Sequence, residues 1–404
     1  MEGMDIHRYQ QNFESTLEKV HSDDRICKEN KEAIVSFCKK QLAKGHSYGR
    51  VSKVAYCLRR WAMWLGKPFK DATKDDLISI VGDLEANPNY KHQTKYDFKV
   101  VLKMIYKYIK GNDEIYPPEI TWLRQNMKKQ SHKLPEELLS EDEVLKMANA
   151  ADTIRDKAFI LVLYETGCRI GEILTTKIKN VMFDQYGAIL RVTGKTGDRR
   201  VRVISSAPVL ANWVDIHPYR TDPEAMVWYP NATNRKNPRK PIRHGSIYVL
   251  LRKLAVKAGV LKRVYPHLFR HSRATAMAGK FTEAQMKEYF GWVQGSDMAA
   301  TYVHLSGRDV DNALLKLHGL AKPDEEKEDK MKVRLCARCK EHNSPIAQFC
   351  IKCGLPMNQE LLIRVEKERE SSDDLMNKLM EDPEFRDLMM KKILEKGLEK
   401  NIAH

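Results

Sequence analysis

Two short stretches far apart in the chain carry residue types suited to one reaction. The first is Thr166-Gly167-Cys168-Arg169-Ile170-Gly171-Glu172 and the second is His267-Leu268-Phe269-Arg270-His271, with Tyr302 about thirty residues further on. A phosphate in transfer spreads negative charge over its oxygens, and the planar fork of arginine can pair with two of them at once. Arg169 and Arg270, helped by a lysine, could hold a phosphodiester while a tyrosine attacks its phosphorus. A phenol with a pKa near ~10 is almost wholly protonated at neutral pH, so the attack needs a base or a positive field. His267 stands three residues before Arg270. If a helix begins at or just before His267, both side chains share one face and reach the same phosphate. The competing reading of either arginine is structural, a guanidinium bonding nearby carbonyls, which is common for one arginine and uncommon for a matched pair.

Lys195 lies in Thr193-Gly194-Lys195-Thr196-Gly197-Asp198, between two strand-like runs, Ala188–Val192 and Val201–Ile204. The composition predicts a hairpin with Lys195 at its tip. A plain turn lysine is the alternative. The same residues resemble part of a phosphate-binding loop for ATP. The required glycine is missing, since Ile189 stands five positions before Gly194, and a strand follows where a helix should. No nucleotide cofactor is expected.

A separate signal is Cys336-x2-Cys339, ten residues, then Cys350-x2-Cys353 and Gly354. Two such knuckles can set four thiolates tetrahedrally around zinc. The segment is too short to fold without a staple of this kind. Iron in a rubredoxin-like site is the alternative metal, and a pair of disulfides the other reading. Cys27, Cys38, Cys57 and Cys168 lack ligand spacing and read as buried small apolar residues.

The elements that position these groups follow from pattern and punctuation. Helices are predicted over Glu29–Ala43, Ser47–Leu65, Lys74–Leu84 with a Thr73 cap, and His92–Tyr108. Arg50, Lys53, Arg59, Arg60, Lys91, Lys95 and Lys99, interleaved with Tyr48, Tyr56, Trp61 and Trp64, suggest a small bundle with one basic face. A linker-like basic stretch follows, Lys128–Pro135, and Ser140-Glu141-Asp142-Glu143 reads as a capping box opening a second domain. The run Phe159–Tyr164 is apolar all round and predicts a buried helix ended by Gly167. Helices are expected again at Ser246–Ala258, Phe269–Ala278 and Thr282–Phe290. Beyond the cysteines, Gln359–Arg369 and Asp373–Lys400 read as helical and Met-Leu rich, with a fresh start at Pro383.

The chain has 404 residues, with 70 Lys plus Arg against 54 Asp plus Glu, a formal charge of +16. Nearly all the surplus lies before Ala321, where it would attract a polyanion. The amino-terminal ten residues are polar, and Ala158–Tyr164 is too short to cross a bilayer, so a reducing, cytoplasmic setting is expected.

Taken in order, these motifs resemble the tyrosine recombinase (phage integrase) family over roughly Asn12 to Leu320. The Arg169 box is similar to the family's first-arginine motif, His267–His271 to its second, and Gly291-Trp292 through Tyr302 to its nucleophile segment. The added cysteine module resembles a zinc ribbon, as in archaeal members. The resemblance implies a mainly α fold with a small β component. An N-terminal helical, SAM-like DNA-binding domain would span 1–120, a linker 121–139 and an α+β catalytic domain 140–320. A charged linker at 321–333, the zinc ribbon at 334–357 and a helical segment at 358–404 would follow. It implies site-specific cutting and rejoining of double-stranded DNA through a 3′-phosphotyrosyl link. Tyr302, ten residues after Trp292, is then the nucleophile, and Tyr289, which precedes Gly291-Trp292, reads as core. Arg169 and Arg270 would stabilise the pentacoordinate transition state, His267 would take the phenolic proton, and Lys195 would protonate the departing 5′ oxygen. Many relatives carry histidine where Trp292 stands. An indole N–H can donate to a phosphate oxygen but cannot exchange protons, so Trp292 holds and packs. No cofactor is needed for such chemistry, zinc is structural, and four protomers act on two DNA sites. The alternatives are a type IB topoisomerase-like relaxing enzyme and a non-catalytic zinc-ribbon DNA-binding regulator.

Overall fold

A computed structural model describes residues 6–124, 135–194, 197–229, 237–305, 317–318 and 330–396. The chain divides into two compact units, Met1–His132 and Lys133–His404.

The first unit is helical: α1 (Tyr9–His21), α2 (Lys28–Ala43), α3 (Tyr48–Leu65), α4 (Lys74–Ala86), α5 (His92–Ile109) and a single turn, α6 (Pro118–Thr121). Their apolar faces meet in one core that includes Ile34, Phe37, Leu58, Trp61, Leu102 and Tyr106. Local chemistry sets the ends. Thr73 accepts from the Asp76 amide while the Asp76 carboxylate takes the Thr73 amide, a capping box at the start of α4. The interleaved basic and aromatic set divides. Arg50, Lys53, Lys91, Tyr48 and Tyr56 are exposed, whereas Trp61 is fully buried and donates its indole N–H to the Phe98 carbonyl. Cys38 and Cys57 are buried and burial pushes both thiols up to about 12. Cys27 departs from expectation: it is only half-buried, at the N-cap of α2 where the helix begins.

In the second unit the Ser140–Glu143 capping box opens α7 (Glu141–Ala150). The helix α8 (Ile154–Thr166) follows and buries Ala158 through Thr166 on every side. Gly167 ends it in the left-handed region at φ 55°, where a Cβ would also meet the Phe290 ring at 2.4 Å. After the short α9 (Ile170–Leu174) comes an antiparallel sheet of β1 (Val181–Asp184), β2 (Gly187–Gly194) and β3 (Gly197–Val203), in that order. The hairpin closes with Gly194 opposite Gly197. Then follow α10 (Ala207–Asp215), α11 (His244–Lys257), α12 (Pro266–Ala278), α13 (Glu283–Phe290) and α14 (Met298–Leu305). Helix α8 is the hub, packed against α7, α10, α12 and β3.

The cysteine module pairs β4 (Arg334–Leu335) with β5 (His342–Asn343). It leads into α15 (Gln359–Glu381) and α16 (Pro383–Glu395), neither of which buries a side chain. The expected break between Arg369 and Asp373 does not occur. Ser371 and Ser372 continue the helix, spanned by the Arg369–Asp373 ion pair and by the Ser372 hydroxyl bonding the Glu368 carbonyl. The break falls at Pro383, with Asp382 capping the new start. No helix among the described residues is long and apolar enough to cross a membrane.

Candidate active site

Arg169, Arg270, Trp292 and Tyr302 converge in the second unit. Arg169 follows the left-handed Gly167 turn and serves as N-cap residue of α9, its side chain about a third exposed. Its guanidinium donates to Glu172 Oε1 (3.0 Å) and to the Gly291 carbonyl (3.2 and 3.3 Å). Arg270, one turn into α12, is almost wholly buried. It donates to the Gly167 carbonyl (2.9 Å) and the Phe290 carbonyl (2.6 Å). These acceptors lie at the ends of α8 and α13, where carbonyls lack helical partners. Burial, then the neighbouring charge of Arg169, lowers the Arg270 guanidinium to about 10. A buried cation with another cation beside it favours any anion that can reach it.

Tyr302 lies on α14, 4 % exposed, in a small cluster with Ala274, Met286, Phe290 and Trp292. Its ring stacks on Trp292 with centroids 5.5 Å apart and planes 2° from parallel, and Trp292 stacks in turn on Phe290. Burial pushes the phenol up to about 12, against the pull of Arg270. The phenolic oxygen shares a hydrogen bond with Nδ1 of His271. His271 was not assigned a role from the sequence. The signal was present: His271 lies four residues after His267 on the same helix, so the two rings fall on one face. They meet edge to face at 4.6 Å. His267 is the exposed member, and His271 is the histidine in contact with the phenol.

A third arginine joins the site from β3. Arg199 donates from Nη2 to Glu172 Oε2 (2.7 Å) and to Cys168 Sγ (3.2 Å), and from Nε to the Tyr289 carbonyl (3.3 Å). Burial opposes ionisation of Glu172, and the ion pair with Arg199 outweighs it, holding the carboxyl below its ordinary range. Tyr289 donates its hydroxyl to the Glu165 carbonyl (2.6 Å). Lys195 lies outside the described residues.

The four cysteines of the two knuckles come together, all Sγ atoms lying within 4.8 Å of one another. Cys336 and Cys353 are 3.5 Å apart, as are Cys339 and Cys350. Zinc–sulfur bonds of about 2.3 Å in a tetrahedron require sulfurs near ~3.8 Å. The donor set therefore fits a thiolate-bound metal. The backbone agrees: Lys340 and Gly354, each just after the second cysteine of a knuckle, have φ of 58° and 70°. Burial works against ionising Cys350, but the amides of Cys353 and Lys352 and the neighbouring thiols bring it down to about 6.

Residues 137–308 match the phage integrase family. The XerA tyrosine recombinase of Pyrococcus horikoshii is 36 % identical over 151 residues, which cover 36 % of this chain and 50 % of that protein. The chain thus spans about half the length of that relative. A tyrosine recombinase of Thermosipho africanus is 22 % identical over 67 % of this chain and 94 % of its own length. Among solved structures, the XerH site-specific recombinase bound to a palindromic difH substrate has a TM-score of 0.54 at 16 % identity, covering 78 % of this chain and 98 % of that one. A lambda integrase dimer bound to a COC′ core site gives 0.55 at 16 %, covering 69 % and 78 %. At such identities these likenesses establish a shared fold.

Proposed function

We propose that this protein is a tyrosine-type site-specific DNA recombinase that cuts and rejoins duplex DNA through a phosphotyrosyl link at Tyr302. The observation that carries the reading is the Tyr302 hydroxyl in hydrogen-bond contact with His271, within the electrostatic reach of Arg270. In the forward step the phenol gives its proton to His271 and its oxygen bonds to phosphorus. The bond from phosphorus to the 5′ oxygen breaks, and that oxygen takes a proton from Lys195. A 5′-hydroxyl from a partner strand reverses the step, so no external energy source is required. Arg169 and Arg270 carry the charge that grows on the non-bridging oxygens. Removing one such donor costs on the order of a hundredfold to a thousandfold in rate. Trp292 holds the tyrosine ring by stacking and offers its indole N–H to the phosphate. His267, exposed at the start of α12, lies beside His271 as a second proton carrier.

The amino-terminal helical unit serves as a DNA clamp, with exposed Arg50, Lys53 and Tyr56 on one face of α3. Neutralising backbone phosphates makes such binding steeply salt-dependent. Cys336, Cys339, Cys350 and Cys353 hold one structural zinc, which takes no part in the reaction. The chain works in the cytoplasm as a homo-oligomer, four copies on two DNA sites, without a nucleotide cofactor.

A nicked suicide substrate tests this reading on a denaturing gel. Wild-type protein forms a covalent adduct, and Tyr302→Phe binds the same DNA but forms none. Undiminished adduct with Tyr302→Phe would sink the assignment. Exchange between two sites, measured beside relaxation of a one-site plasmid, separates recombinase from topoisomerase.

A further inference from the structure

We infer that Arg199 is a positioning residue for Arg169, acting through the carboxylate of Glu172. This deepens the recombinase reading and rests on it.

Glu172 is 3 % exposed and has two oxygens to place. Oε2 is taken by Arg199 Nη2 (2.7 Å) and by the Arg169 amide (2.9 Å), which leaves Oε1 for Arg169 Nη1 (3.0 Å). Arg199 therefore decides which way the carboxylate faces, and the carboxylate decides where the Arg169 guanidinium rests. Arg199 itself is held on three sides, by Glu172, by the Cys168 sulfur and by the Tyr289 carbonyl, with its side chain nine-tenths buried. Its Nη1 is out of contact with solvent and has no hydrogen-bond partner among the described residues. Its other donors are engaged by Glu172, Cys168 and the Tyr289 carbonyl, so Arg199 works through its neighbours.

Two glycines belong to the same device. A Cβ on Gly194 would stand 2.3 Å from Glu172 Oε1, and one on Gly291 would stand 2.8 Å from Arg199 Nη1. Gly291 also supplies the carbonyl on which the free end of Arg169 rests. The hairpin, the Arg169 turn and the loop before the tyrosine helix are thereby tied at one buried ion pair. Arg169 is about a third exposed, and apart from Glu172 its guanidinium rests on the Gly291 carbonyl. Without Arg199 the carboxylate can rotate, and the guanidinium follows it.

The test is a double-mutant cycle read as single-turnover adduct formation on a suicide substrate. Arg199→Ala should slow cleavage on the order of a hundredfold, the cost of a misplacement of about 1 Å at a reacting centre. In an Arg169→Ala background the same change should cost no more than about threefold, since the group it positions is gone. Arg199→Lys, which keeps one charged donor for Glu172, should recover most of the rate. Gly194→Ala should behave like Arg199→Ala and be equally silent without Arg169. A merely structural arginine would lower activity by the same factor in both backgrounds, and that result overturns the inference. So does an Arg199→Ala protein that cleaves at wild-type rate. If Arg199→Ala fails to fold, as shown by its melting curve, the cycle is run with Arg199→Gln, which keeps much of the bulk but removes the charge that holds Glu172. Wild-type protein on the same gel separates the two levels: absence of its adduct refutes the recombinase reading, while a normal adduct with an additive cycle refutes only the role of Arg199.

Discussion

Replacing His271 by glutamine tests the proton path directly. The Tyr302 phenol stands at about 12 because burial disfavours its anion more than Arg270 favours it. At pH 7 about one phenol in 10⁵ would be ionised unaided, equivalent to roughly 7 kcal/mol of the barrier at about 1.36 kcal/mol per pKa unit. A positioned base recovers part of this, typically ~10²- to 10⁴-fold in rate. Glutamine keeps a polar group near the hydroxyl but cannot accept the proton, so cleavage should fall by about that factor while DNA affinity holds. The sign of the pH dependence follows. Attack needs the deprotonated oxygen, so the variant should gain about tenfold in rate per pH unit across the neutral and alkaline range, with no levelling until the phenol itself titrates. Wild-type protein should level off once His271 is neutral. Single-turnover cleavage between pH 6 and 10 gives both curves. His267→Gln should have the smaller effect, since that ring is exposed and His271 is the histidine in contact with the phenol. Equal rates for His271→Gln and wild type, or identical pH profiles, would refute the reasoning.

Arg270→Ala should slow cleavage at least on the order of a hundredfold to a thousandfold and also destabilise the second unit. It leaves the Gly167 and Phe290 carbonyls unpaired in the interior, at about 1–3 kcal/mol each, readable as a lowered urea midpoint. Arg169→Ala, at a part-exposed side chain, should slow cleavage on the order of a hundredfold to a thousandfold with little loss of stability. Purified protein should carry about one zinc per chain on the four-thiolate scheme. Cys336→Ser with Cys353→Ser should release it and unfold the module locally. Cleavage by a chain ending near Ala321 should survive at least in part, whereas an immediate stop on chelation with folding intact would argue for metal in the reaction.

Much of the local structure was legible without coordinates because its causes are local. Thr73, Ser140, Thr282 and Asp382 each cap the helix they precede, using their own side-chain oxygens on amides two or three residues ahead. Gly167 ends the buried helix because only a glycine takes that backbone and that space cheaply. The paired cysteine knuckles announce four sulfurs at one point through spacing alone. Where local cues were weak, elements were missed. Strand β1 is largely exposed and carries no alternating apolar run, and α10 is a short helix of nine residues with no side-chain cap to announce it.

The chemistry of the site divides in the same way. Arginine, histidine and tyrosine types could be named in order along the chain, since function shows in which residues are present. Which histidine meets the phenol could not be, because His271 and Tyr302 are thirty-one residues apart and meet only where α12 packs on α14. The Arg199–Glu172 pair, twenty-seven residues apart, likewise exists only because β3 closes on the α8–α9 turn. Sequence determined the caps, the knuckles and the inventory of reactive groups, all of which depend on neighbours a few residues away. Tertiary packing alone decided who touches whom, because that depends on how buried faces far apart in the chain come to share one interior.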